Sequence, residues 1–349
     1  MAHVGRRLGA GLILAAMLSL PSPAAAEIIL APGFVARVYV TGSGFETPTG
    51  TSGAGIPSTA TLVVDNRGTL YLARTGRRYS SGEYEYLARM YRIPAGGARL
   101  TPSTEARYVY GPPLINTQVG GNRGSSDILV TTFDRDRRVG AVYRLTDGRA
   151  QLFAGGTPDD GAPPLLVQPE GSAVEAGGQV FVADRERGAV LRLDAGGRVV
   201  DADYVRVTRP RVLVVDEANH LWIANDGNAE APWQPGPGEL WRVAPNGDRR
   251  RVLEGPIAQG LAVGPAGGVF VADRQASEIF FVSAEGRRVS LARFSEGSAP
   301  RGLAFVPDTP ETRTAGLAGD LLVSVIRGGI FQLNEIVRIS GPFADLVRP

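Results

Sequence analysis

The chain has 349 residues, 46 of them Gly and 25 Pro, and is only 7% aromatic, a composition of strands and turns more than of long helices. All 37 basic residues are Arg, Cys is absent, and the only histidines are His3 and His220. These absences exclude cysteine nucleophiles, Cys or multi-His metal centres, Schiff-base lysines and lysine-dependent phosphate loops.

Residues 1–26 read as a secretory signal peptide. Arg6 and Arg7 form a basic start, Leu8 to Leu20 an apolar run, and Ala24 to Ala26 a small-residue cleavage site before Glu27. The apolar run is shorter than the roughly 20 residues a membrane helix needs, and no later stretch approaches that length, so no transmembrane segment is expected after signal removal. Cleavage near Ala26 predicts a periplasmic or secreted protein, with 27–349 as a single domain. Two arginines leave with the signal, so 35 basic residues face 35 acidic ones in the remainder. That balance carries no nucleic-acid footprint. An exported fold without disulfides requires a large core.

The segment FVARVYVTG (Phe34 to Gly42) alternates like a strand. From Ala60 onward a motif recurs, in which an apolar strand, a Gly or Asn turn and a second apolar strand commonly end in Ala-Asp or Ala-Asn. The clear copies are ATLVVDNRGTLYLAR from Ala60, GSAVEAGGQVFVADR from Gly171, RVLVVDEANHLWIAN from Arg211 and GLAVGPAGGVFVADR from Gly260. Looser copies lie near Ile128 and from Arg301. The second strands start at Leu70, Ile128, Val180, Leu221, Val269 and Leu321, separated by 58, 52, 41, 48 and 52 residues. A third strand follows each (MYRIP, AVYRL, AVLRL, ELWRV, EIFFV, GIFQL), and usually a fourth, such as AQLFAGG or RRVLEG. Six units of four antiparallel strands predict an all-β, six-bladed β-propeller, an arrangement that leaves few open edges. The last unit lacks an obvious fourth strand, and Phe34 to Gly42 is expected to fill that place and close the ring.

PEGSAVEAGGQVFVAD and QGLAVGPAGGVFVADRQASEIFFVSAEG resemble NHL-type repeats and the gluconolactonase-like six-bladed propellers. The ends, APGFVARVYVTG at the start and APRGLAFVPD, AGDLLVSV and EIVRISGPF at the finish, are similar to soluble sugar dehydrogenases that use pyrroloquinoline quinone. The first resemblance implies a divalent metal such as Ca²⁺, held by Glu, Asn and Asp at the channel mouth, where Glu170 is the matching residue. The second implies a quinone cofactor, a histidine base and Lys with Arg around the cofactor. Lys is absent here, and His220 sits in a turn between strands, on the face opposite the mouth.

In such a ring the residues just before each innermost strand converge on the channel mouth. Counting ten residues back from the well-aligned second strands gives Ala60, Glu170, Arg211 and Gln259; the RGLAF motif adds Arg301, and the irregular second unit adds Gln118. Two arginines with an amide suit a carboxylate, a phosphate or a polyhydroxylated ligand. The competing reading is that Glu170 and one Arg neutralise each other across the channel. Second strands end on the same face at Arg74, Thr132, Asp184, Asn225, Asp273 and Val325, where Asp and Asn commonly cap backbone N–H groups of the next loop. Two longer insertions, Arg74 to Tyr86 with Tyr79, Tyr84 and Tyr86, and Asn225 to Gly238 with Trp233, are expected at the rim. TPETRTAGLAG (Thr309 to Gly319) reads as an ordinary turn.

Three functions follow. The first is an exported propeller binding a small polar or anionic molecule, or a partner protein, at Glu170, Arg211, Gln259 and Arg301, with Tyr84 and Trp233 at the rim. The second is a metal-dependent lactonase-like hydrolase, with Glu170 and either Asp184 or Asp273 on Ca²⁺. The third is a pyrroloquinoline-quinone oxidoreductase of sugars or alcohols whose cofactor carboxylates rest on Arg.

Overall fold

The computed structural model describes residues 28–45, 53–56, 59–74, 90–101, 103, 118–121, 128–134, 137–146, 149–158, 161–227, 236–327 and 334–348. Six antiparallel sheets follow one another along the chain. Blade 1 holds Thr59–Val64, Leu70–Arg74 and Met90–Ile93; blade 2 holds Gln118–Gly121, Ile128–Asp134, Val139–Thr146 and Arg149–Gly155. Blade 3 holds Pro169–Val174, Val180–Asp184, Ala189–Leu193 and Val199–Arg206, and blade 4 holds Pro210–Val215, Leu221–Asn225, Gly238–Val243 and Arg249–Gly255. Blade 5 runs Ala258–Val263, Val269–Asp273, Glu278–Val282 and Arg288–Phe294, and blade 6 runs Ser298–Phe305, Leu321–Arg327 and Asn334–Ser340. Within each blade the first strand is innermost. Each innermost strand packs against those of both neighbouring blades, the sixth against the first, so the sheets form a ring.

All six second strands begin at the residues the repeat predicts. The third strand of blade 6 is Asn334–Ser340, directly downstream of the expected GIFQL, which lies outside the described residues. The stretch read as an ordinary turn contains a helical turn, Pro310–Thr314. Thr309 caps it, accepting from the Thr312 amide at 3.1 Å.

The N-terminal segment is shared between two blades. Ile28–Leu30 pairs antiparallel with Arg288–Phe294 as a fifth strand of blade 5, a pairing the repeat gave no sign of. Val35–Phe45 runs antiparallel to Asn334–Ser340 in blade 6, with Val35 opposite Ser340. Its later part pairs in parallel with Ala98–Leu100, which follows the third strand of blade 1.

Buried side chains gather into six clusters, one at each interface between neighbouring blades. This explains why second strands such as VFVAD read as continuous apolar runs. Side chains alternate along a strand, and here both faces are covered. Phe181 and Ala183 pack toward blade 4, whereas Val180 and Val182 pack toward blade 2. Each such buried aliphatic or aromatic side chain contributes about 1.5–3 kcal/mol. At the interface of blades 5 and 6, Phe34 meets Phe343 edge to face with ring centres 4.9 Å apart, and Phe343 also touches Phe270 and Phe305.

Candidate functional site at the channel mouth

The innermost strands do more than line the channel. In five of the six blades the register of the first two strands slips at the residue the repeat picks out. Arg211 lies alone between the pairs Pro210–Asn225 and Val212–Ala224, and Gln259 between Ala258–Asp273 and Gly260–Ala272. Glu170 and Gly171 together face Ala183, and Arg301 and Gly302 together face Ser324. Ala60 lies in the corresponding slip of blade 1. A bulge leaves an extra residue out of the ladder and re-aims its side chain. Gln118 sits in regular register opposite Thr131, without a bulge.

The glycines that follow Glu170 and Gln259 have their own physical reason. A Cβ at Gly171 would stand 2.4 Å from the Arg211 carbonyl oxygen, and one at Gly260 would stand 2.3 Å from that of Arg301. Neighbouring innermost strands approach too closely there for any side chain.

Glu170 and Arg211 are brought together and buried. The Arg211 Nε donates to Glu170 Oε2 at 3.0 Å, and the Gln168 amide donates to Glu170 Oε1 at 2.7 Å. Two further residues extend the network. Arg185, which follows the second strand of blade 3, donates from Nε to Asp226 Oδ2 at 3.0 Å and stands 3.8 Å from Glu170 Oε1. Asp226, fully buried after the second strand of blade 4, also faces Arg211 Nη1 at 3.5 Å. Two acids and two arginines thus link blades 3 and 4.

The opposite side of the mouth is cationic. Arg274, which follows the second strand of blade 5, is half-buried and has no ion pair among the described residues. Burial, and then repulsion from Arg211, lowers its pKa. Burial, followed by the repulsion of Arg211 and Arg274, pushes the Arg301 guanidinium down to about 9. It still carries its charge at neutral pH. Gln259, in the bulge of the innermost strand of blade 5, is buried, and its Nε2 has no hydrogen-bond partner among the described residues. Among the described residues four guanidinium groups of the mouth stand against two carboxylates, those of Glu170 and Asp226.

Asp184 and Asp273 cap loops. Asp184 accepts from the amides of Val167 at 2.7 Å and Gln168 at 3.1 Å, and Asp273 from those of Gln275 at 3.0 Å and Ala276 at 3.2 Å. Burial nevertheless holds both carboxyls above the ordinary aspartate range. Among the described residues no group of three or more His, Asp or Glu is arranged to hold a metal ion, and both Glu170 oxygens already accept hydrogen bonds. His220 lies in the turn between the first two strands of blade 4, beside Asp216 and Arg242. Tyr84 and Trp233 lie outside the described residues.

Sequence reasoning missed Arg185, Asp226 and Arg274 as parts of the site. A signal existed: VADR occurs in two repeats and puts an arginine directly after the capping aspartate, at Arg185 and Arg274. Within the ring, beneath the mouth, lies a cavity of about 170 Å³, walled among the described residues by the innermost strands of five blades from Arg211 down to Pro307.

No protein-family model matches this chain, and no curated protein does. Solved structures share its fold at low identity. A Bacteroides thetaiotaomicron protein of unknown function is 8% identical over 90% of this chain and 76% of its own, with a TM-score of 0.57. A catalytically inactive virginiamycin B lyase from Staphylococcus aureus, solved with quinupristin, is 12% identical over 88% of this chain and 99% of its own, with a TM-score of 0.51. A chain of a nidogen–laminin complex is 16% identical over 77% of this chain and 88% of its own, with a TM-score of 0.44. The structure neighbours are six-bladed β-propellers, and the present ring is one as well. Among the described residues no helix is long and apolar enough to cross a membrane.

Proposed function

We propose that this chain is an exported six-bladed β-propeller that binds a small anionic ligand at the channel mouth, through Arg274, Arg301 and Gln259 with Arg211 behind them. One observation carries the reading: Arg274 and Arg301, at the mouth ends of blades 5 and 6, stand close enough to Arg211 to repel it, and of the three it is Arg211 that pairs with Glu170. Like charges gathered in a partly desolvated place repel one another, and an anion between them relieves that repulsion while accepting charge-assisted hydrogen bonds. Planar guanidinium groups hold carboxylate or phosphate oxygens in a fixed fork, which favours recognition over loose screening.

The chain's own residues suit binding more than turnover. The acids nearest the mouth are engaged, Glu170 with Gln168 and Arg211, and Asp226 with Arg185. The signal-like residues 1–26 support export. The test is thermal unfolding of the purified protein with and without phosphate, acetate and gluconate. A ligand that binds only the folded state raises Tm by mass action. At least one of these anions is expected to raise Tm in the wild type, and Arg274→Ala/Arg301→Ala to abolish the rise. A wild type that none of them stabilises would overturn the proposal.

A further inference from the structure

The cavity inside the ring opens next to the arginines of the mouth. Its wall includes Arg211 at the mouth end and then turns aliphatic, with Val63, Val174, Val214, Val263 and Phe305 contributed by five blades. Among the described residues Arg211 is the only charged one in that wall, and the only other polar side chains are those of Thr61 and Ser172. A polyhydroxylated ligand entering this space would lose hydrogen bonds to water and find few replacements, a costly exchange. An apolar group would lose nothing. The volume sets its size, since an apolar protein cavity of about 150 Å³ stays dry and accepts benzene.

We infer that the ligand is a monocarboxylate bearing a compact apolar group of about six carbons. Its carboxylate rests among Arg274, Arg301 and Gln259, and its apolar part enters the cavity. This rests on the anion site proposed above and adds the chemical class of the ligand. The geometry is continuous: Gly171, Gly260 and Gly302, which directly follow Glu170, Gln259 and Arg301, are themselves part of the cavity wall. The close approach of strands at Gly171 and Gly260 fixes that wall in backbone, so the cavity cannot widen by moving side chains alone. Acids much longer than the cavity therefore leave methylenes outside or do not fit.

Calorimetric titration of the intact folded protein with acetate, hexanoate, decanoate and gluconate tests this. Each methylene buried strengthens binding about fourfold, so hexanoate, with four more methylenes, is expected to bind about two-hundredfold more tightly than acetate. Gluconate should bind no better than acetate, and decanoate no better than hexanoate. Val214→Phe, or Val263→Phe should the first variant fold poorly, is expected to remove the advantage of hexanoate over acetate. Equal affinities for acetate, gluconate and hexanoate would overturn this inference and leave the anion site standing. Absence of binding by all four acids would overturn both.

Discussion

Arg211 and Glu170 occupy equivalent bulges on the innermost strands of adjacent blades, and the guanidinium of one donates to the carboxylate of the other at 3.0 Å. The pair ties blade 3 to blade 4 and sets the charge of the mouth. Removing one partner from a buried pair leaves the other uncompensated, at a cost of about 3–5 kcal/mol. Glu170→Ala and Arg211→Ala are both expected to lose stability of that order in urea unfolding. Their effects on anion affinity should be opposite. Glu170→Gln, which keeps the shape and removes the negative charge, should strengthen binding of the anion that stabilises the wild type, whereas Arg211→Ala should weaken it.

Arg301 gives the site a pH dependence at the alkaline end. Burial and two neighbouring arginines hold its pKa at about 9, so its charge is lost as the pH rises through that value. Anion affinity should fall across the same range, and titrations between neutral and strongly alkaline pH would show it. Stability moves the other way. The folded state disfavours the Arg301 cation and the unfolded state does not, so the folded form binds fewer protons. This group's contribution therefore becomes more favourable as the pH climbs from about 9 toward the unfolded arginine value. Arg301→Met should flatten both trends.

Asp184 holds the approach to Glu170 in place. Its carboxylate accepts from the amides of Val167 and Gln168, immediately before the innermost strand of blade 3. Asp184→Ala would leave buried donors without an acceptor, at a cost of about 1–3 kcal/mol by chemical unfolding. Asp184→Asn keeps one carbonyl oxygen and should cost less. Because burial raises the Asp184 carboxyl above its unfolded value, its own contribution to stability falls as pH rises through that window, and the alanine variant should lack this slope.

Phe34 anchors the N-terminal segment by its contact with Phe343. Phe34→Ala should cost about 3–5 kcal/mol, a large-to-small change in a packed aromatic cluster, read as a drop in the unfolding midpoint.

Much of this architecture was legible because the repeat is chemical as well as numerical. Leu70, Val180, Leu221 and Val269 each open a strand covered on both faces, and such strands read as unbroken apolar runs between turn residues. Counting back from them located Glu170, Arg211 and Gln259, since the bulge recurs at a constant distance. The partition of charge was not legible. Whether Arg211 serves Glu170 or a ligand depends on Asp226 and Arg185, which reach it from the ends of two other strands. The fifth strand of blade 5 escaped notice because Ile28–Leu30 is three residues long, too short to show a period.

The N-terminal strands also bear on how the molecule is made. Ile28–Leu30 and Val35–Phe45 pair with Arg288–Phe294 and Asn334–Ser340, strands from the far end of the chain. Synthesis delivers them well before those partners, and pairing waits on long-range loop closures. Until then the outer edges of blades 5 and 6 stand open, and an open strand edge accepts any extended segment that reaches it. A chain stalled or cut before Asn334 would expose such edges to its own copies, so its failure would take the form of aggregation before loss of binding.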